Sequence, residues 1–265
     1  MPTASLIRHC GVGASVICVA LLTACTSSTP KAAPSAPTAP TGGSSASAPP
    51  ASPPPAAATG PTFDPGNFGT VVDNPYFPLK PGSTWVYQGV RDGVPQKDVV
   101  VATGRTKVVD GVTAVVVTDT ATHGSTLLEK TEDWYAQDKQ GNVWYLGEAT
   151  AAYDNGKVDT EGSWTSGVDG AVPGIIMPAH PRVTDSFRQE FLKDHAEDTF
   201  WVVQDGVSTK VPAGSYTGVI RTLEFTRLEP DVIDNKFYAP GVGIIREASA
   251  SGPNETADLV SFTSG

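Results

Sequence analysis

The densest group of metal-ligating or acid–base side chains in this 265-residue chain is Glu190, Asp194, Glu197 and Asp198, with His195 among them. Hard cations such as Ca²⁺ take several oxygens from a short loop, so these residue types at this spacing are those of a possible cation site. The alternating acids and central glycine of an EF-hand loop are not in register. A solvated acidic hairpin is the simpler reading, and no metal or other cofactor is expected.

Other chemistry is thinly represented. There is no Gly-x-Ser-x-Gly elbow and no Ser-x-x-Lys, and no cysteine is available to pair with a histidine. Neither His-Glu-x-x-His nor Cys-x-x-Cys occurs, so zinc has no motif behind it. His123, His180 and His195 each sit in turn-like surroundings (His123-Gly124, His180-Pro181, Asp194-His195), the context of solvated loop histidines. Asp138 to Asn142 resembles a cation loop but reads more simply as a turn at a strand junction. Acids are plentiful, yet spacing in sequence does not show which two face each other, as glycoside hydrolysis requires. No catalytic residue is therefore assigned.

The aromatic pairs Trp134-Tyr135 and Trp144-Tyr145 flank one predicted hairpin. Alternation along a strand sends one member of each pair to each face. One face is then core. The other either lines a groove for an apolar or glycan ligand, or simply pairs across the strands to stabilise the sheet.

The elements that position these residues read as β almost throughout. Asp92-Gly93, Asp110-Gly111, Asn155-Gly156 and Asp205-Gly206 are two-residue turn signals, because Gly, Asn and Asp tolerate the positive φ that hairpin turns require. Between and beyond them lie β-branched and aromatic runs, among them Ser83 to Tyr87, Val112 to Val117, Asn142 to Tyr145, Phe200 to Val203 and Val242 to Arg246. Short strands at this spacing predict an all-β, mainly antiparallel domain: a curved sheet, roll or partly closed barrel. Asp185 to Asp198 fits either a helix or a hairpin, and the hairpin is preferred. Pro212, Gly214, Pro240, Gly241 and Gly243 are expected to end or bend strands.

The β domain is expected to occupy 61–265. Ahead of it, residues 25–60 contain almost nothing but Ala, Pro, Ser, Thr and Gly, a composition that cannot bury enough surface to fold and is expected to form a disordered tether. Residues 1–24 have a positive start at Arg8, a short apolar run from Val12 to Leu22 and a small-residue exit, the pattern of a secretory signal. Cys10 and Cys18 lie within it, so a folded part without cysteine must be held by its core. Of the formal charge of −10, only Arg8 and Lys31 precede Pro61, leaving 16 basic against 28 acidic residues and a net −12 in the predicted domain. That balance argues against nucleic acid, whose phosphates must be neutralised, and against attraction to anionic lipid heads.

Leu22-Thr23-Ala24-Cys25 resembles the lipobox of bacterial lipoproteins. The resemblance implies cleavage before Cys25, diacylation of that cysteine and residence on the extracytoplasmic face of the cell membrane. Asn74 to Gly82 leading into Thr84 to Tyr87, then Glu132 to Tyr135, Gly141 to Tyr145, Pro178 to Glu190, Val211 to Gly214 and Tyr238 to Gly243, are together similar to a group of exported bacterial β-domain proteins of unknown function. That resemblance spans Val71 to Phe262 and implies a curved antiparallel sheet, with no activity attached. The expectation is a lipid-anchored, non-catalytic envelope module whose concave sheet face holds an apolar or amphipathic ligand, or a partner protein of the envelope, with a glycan as a further possible ligand. A carboxylate-dependent hydrolase and a purely structural protein are the alternatives.

Overall fold

The computed structural model describes residues 60–265. Signal, lipobox and nearly all of the tether, Cys25 included, lie outside the described residues. The strands are β1 (Thr84–Arg91), β2 (Val94–Val109), β3 (Val112–His123), β4 (Thr126–Gln137), β5 (Val143–Asp154), β6 (Lys157–Asp159), β7 (Trp164–Thr165) and β8 (Val172–Met177). The second half supplies β9 (Ser186–Arg188), β10 (Glu190–Phe191), β11 (Asp198–Val211), β12 (Gly214–Thr226), β13 (Ile233–Ala239), β14 (Gly243–Ser251) and β15 (Glu255–Thr263). All pair antiparallel in the order β10-β8-β5-β4-β3-β2-β1-β15-β14-β13-β12-β11-β9, with β6 and β7 added to β5.

The two ends of that order are one stretch of chain. Ser186–Arg188 pairs with β11, and Glu190–Phe191 pairs with β8. The sheet therefore curls into a nearly closed barrel with a single seam. Gly174 lets the seam close: a Cβ there would lie 2.3 Å from the Arg188 carbonyl oxygen and 2.4 Å from the Gln189 carbonyl carbon. The stretch expected as a hairpin is extended, with Leu192 bridging Ala196 around the turn.

Local chemistry explains the hairpins. Asp92-Gly93, Asp110-Gly111 and Asn155-Gly156 all have positive φ at both residues, between 47° and 81°, matching the right-handed twist of the strands they join. Asp205-Gly206 is different. It lies inside β11, where the register against β12 shifts between Gln204 and Val207, so this pair forms a bulge rather than a turn.

One large core fills the barrel from the end capped by Asn74 to Gly82, whose Phe77 and Leu79 join Trp85, Tyr87, Val100, Val117, Tyr135, Tyr145, Tyr238, Ile245 and Leu259. The two terminal motifs meet at this cap. The Gly241 amide donates to the Pro75 carbonyl at 2.7 Å, the Trp85 indole to the Val242 carbonyl at 2.7 Å, and the Tyr87 hydroxyl to the Ile244 carbonyl at 2.9 Å. Pro240, Gly241 and Gly243 are therefore architectural. A second, smaller core on the opposite face of β3–β5 gathers Trp134, Trp144, Leu146 and Ile175 with Phe200 and Val202 of β11, under Phe63, Phe68 and Phe187. Among the described residues no helix is long and apolar enough to cross a membrane.

Candidate functional site

The four aromatics proposed for a groove are all core. Alternation does split them, but both faces are covered. Tyr135 and Tyr145 stack inside the barrel with centroids 4.9 Å apart, flanked by Phe77 and Trp164. Trp144 packs on Phe63 and Phe68 in the second core and donates its indole N–H to Asp138. Trp134 lies beneath the Lys107 ammonium, 3.1 Å from the ring centroid. None of the four offers an open ring face to a ligand, because the cap and the seam end of the sheet cover what one hairpin alone leaves bare. Asp138 is indeed a turn residue: it accepts from the Gln140 and Asn142 amides, the Asn142 side chain and Trp144.

The acidic cluster is also taken apart. Exposed Asp194 and buried Glu197 hold the Arg227 guanidinium, Asp194 at 2.8 Å, and Glu190 and Asp198 are buried without joining them on that cation. These ion pairs keep the carboxyls of Asp194 and Glu197 below the ordinary range. Among the described residues no three His, Cys, Asp or Glu side chains are grouped so as to hold a metal ion. His123, His180 and His195 occupy exposed positions.

The sequence reading missed the most unusual feature. Beyond its apolar end, the barrel interior is lined with carboxyls: Asp98, Glu129, Asp133, Glu148, Glu190, Asp198, Glu224, Asp234, Glu247 and Glu255 are all buried. Arg91 and Lys236 are the buried cations, against twelve buried acids in all when Asp138 and Glu197 are included. Lys236 lies 2.8 Å from Glu224 and 3.9 Å from Glu247, and Arg91 lies 3.6 Å from Glu255. Hydroxyls satisfy part of the remainder. Tyr145 donates to Asp133 at 2.8 Å, Tyr238 to Glu224 at 2.8 Å, Thr222 to Glu224 at 3.2 Å and Thr131 to Glu129 at 3.1 Å.

A buried carboxylate without a paired cation is so costly that the group keeps its proton instead. Burial is the main cause throughout. It pushes Asp98 up to about 7, helped by Glu255 and Glu129 and opposed by Arg91. It likewise pushes Asp133 up to about 7, against the hydrogen bond from Tyr145. Glu148, Glu190 and Glu247 are driven well above the ordinary carboxyl range, again by burial first and then mainly by neighbouring acids. The formal net charge of −12 thus counts carboxyls that burial pushes toward the neutral form.

A bulge at Gly147 helps assemble this layer. The register between β4 and β5 shifts there, so Tyr145 pairs with Tyr135 and Glu148 with Asp133. Gly147 has φ of 129°, and a Cβ on it would lie 2.4 Å from the Trp164 carbonyl oxygen. The sequence signal was present but equivocal. Glu129, Thr131, Asp133 and Tyr135 alternate with Lys130, Glu132 and Trp134, and neither face is apolar enough to declare itself core.

The cavity between Phe77, Leu79, Trp85, Tyr87, Val100 and Ile244 holds about 20 Å³, space for one water. A larger concavity lies outside, over the seam strands. It encloses about 350 Å³ between Arg188, Glu197, Thr199, Phe225, Arg227, Pro230 and Ile233. Thr199, Phe225 and Ile233 are cross-strand neighbours on β11, β12 and β13, and Trp201 follows on the same face. Trp201 is 44% exposed and Phe225 39%, whereas the other four tryptophans are buried. Arg188 rests on the Phe191 ring at 4.2 Å.

No protein-family model matches the chain, and no curated protein matches it. Among solved structures, the 2.70 Å crystal structure of a “putative lipoprotein” from Parabacteroides distasonis ATCC 8503 is 13% identical, covering 74% of this chain and 99% of that one with a TM-score of 0.40. A likeness at that level supports nothing further about this chain.

Proposed function

We propose that the protein is a lipid-anchored, non-catalytic binding module on the extracytoplasmic face of a bacterial cell membrane, and that its binding face is the outer surface of β9, β11, β12 and β13. The anchor reading rests on the signal pattern and the lipobox ending in Cys25. The observation that carries the binding reading is the contrast between a barrel end with a 20 Å³ cavity and an outer groove of about 350 Å³ beside two exposed aromatic rings. Exposed rings rimmed by polar groups in a concavity of this size suit a small or extended ligand. Its chemistry is amphipathic: apolar where it meets Phe225, Pro230 and Ile233, and anionic where it meets Arg188.

Native mass spectrometry of the protein, taken gently from the envelope of an expressing bacterium, tests this. A ligand-sized adduct is expected on the native protein, absent from the denatured chain and lost from the Trp201→Ala/Phe225→Ala double variant. A native mass equal to the denatured one, or an adduct indifferent to the double variant, would sink the groove as the binding face.

A further inference from the structure

The seam is held by short ladders, the two-pair join of β10 to β8 among them, and several of the barrel's buried acids lie beside it. The ladders of the first strands are long, as β1 and β2 show from Thr84↔Val101 to Arg91↔Val94, whereas β14–β15 and β5–β8 pair at three positions each. The seam has Glu190↔Pro173 and Phe191↔Val172 on one side, and Thr199↔Arg188, Phe200↔Phe187 and Trp201↔Ser186 on the other. Pro173 has no N–H to donate to that ladder. At Gly174 the join is backbone against backbone, with no side chain to interlock.

Just inside this join, Glu190 of β10 faces Asp198 of β11. Glu148 of β5 and Asp133 of β4 stand behind them, and Glu129 is close to Glu148. The Trp164 indole of β7 faces Glu190, and Lys236 of β13 is already engaged with Glu224 and Glu247. β8 contributes no titratable side chain. Both carboxyl oxygens of Glu190 are buried without a well-formed hydrogen bond. Protonated, these carboxyls are neutral and tolerate the dry interior. Ionised, they repel one another across a join of a few backbone bonds.

We propose that the seam is a pH-operated opening, in which deprotonation of Glu190, beside the buried Asp198, releases the Ser186–Phe191 segment from its neighbours while the long ladders of β1–β4 stay paired. This goes beyond the binding reading and stands without it. Arg188, Glu197 and Thr199 ride on the seam strands, so if the groove is the binding face, opening also dismantles it.

Amide hydrogen exchange of the full-length chain in dodecyl maltoside micelles, at pH 6 and pH 8.5 and corrected for intrinsic exchange, tests the opening. At pH 8.5 amides of 187–191 and 198–201 are expected to lose at least tenfold more protection than those of the β2–β3 ladder. Glu190→Gln, which keeps the shape and removes the charge, is expected to abolish that excess. Where circular dichroism shows this variant unfolded, Asp198→Asn takes its place with the same readout. Equal loss across the sheet, no loss at the seam, or an excess that survives neutralisation of the pair would each overturn the proposal.

Discussion

Raising the pH from 5 to 7 is expected to weaken this fold, the reverse of ordinary acid denaturation. Asp98 and Asp133 move from 3.8 to about 7 on folding, so between those values the native state holds two protons that the unfolded chain has released. Stability then falls as pH rises, because the folded state binds more protons than the unfolded one. Their contribution is complete below about 4 and is lost as pH climbs through about 7. Each proton is worth about 1.4 kcal/mol per pH unit, so the pair sets a loss on the order of 4 kcal/mol between pH 5 and 7. Glu148, Glu190 and Glu247, raised by burial as well, act in the same direction. Asp194 and Glu197, held low by Arg227, act oppositely but only below the ordinary carboxyl range, outside this window. With a urea m-value of about 2 kcal/mol/M, the midpoint is expected to drop by roughly 2 M. Urea titrations followed by tryptophan fluorescence at pH 5, 6, 7 and 8 measure this directly. A midpoint that is constant, or that rises over this range, would refute the reading of the interior as protonated.

The same protonated interior predicts that unfolding at pH 6 releases protons, those of Asp98 and Asp133 among them; calorimetry in two buffers of different ionisation enthalpy counts them, and net uptake would contradict the burial argument. Gly174→Ala is expected to cost about 2–3 kcal/mol, since its Cβ meets backbone on the far side of the seam and not a side chain that can swing away; chemical denaturation gives the value. Asp138→Ala, which strips the acceptor from two backbone amides and from the Asn142 and Trp144 side chains, is expected to destabilise by about 2–4 kcal/mol and to shift Trp144 emission, whereas an unaltered midpoint would show that water replaces the carboxylate freely. Cys25→Ala is expected to move the protein from the membrane to the soluble fraction, as followed by fractionation, and continued membrane attachment would remove the lipobox reading.

Much of this protein was written locally. Asp-Gly and Asn-Gly pairs favour positive φ, so three of the four predicted turns form where they stand, and β-branched runs between them become strands. The proline and glycine motifs at Asn74–Gly82 and Tyr238–Gly243 announce breaks in the chain, and each is one. Asp205-Gly206 shows the limit: the same dipeptide is a bulge when the partner strand runs on past it.

What the sequence by itself determined is therefore the strand-and-turn grammar and the N-terminal pattern, because both depend on neighbouring residues. Closure of the barrel decided the rest. Whether a strand face is inside depends on what arrives from residues far along the chain, so Tyr135 and Tyr145, legible as groove residues, became core under Phe77 and Trp164. Glu190 and Asp198, legible as part of a solvated cluster with Asp194 and Glu197, are instead buried, with Glu148 near both of them and Asp133 near Glu190. A carboxyl has no fixed meaning in sequence, since its charge is set by the dielectric around it, and only the folded sheet creates that surrounding.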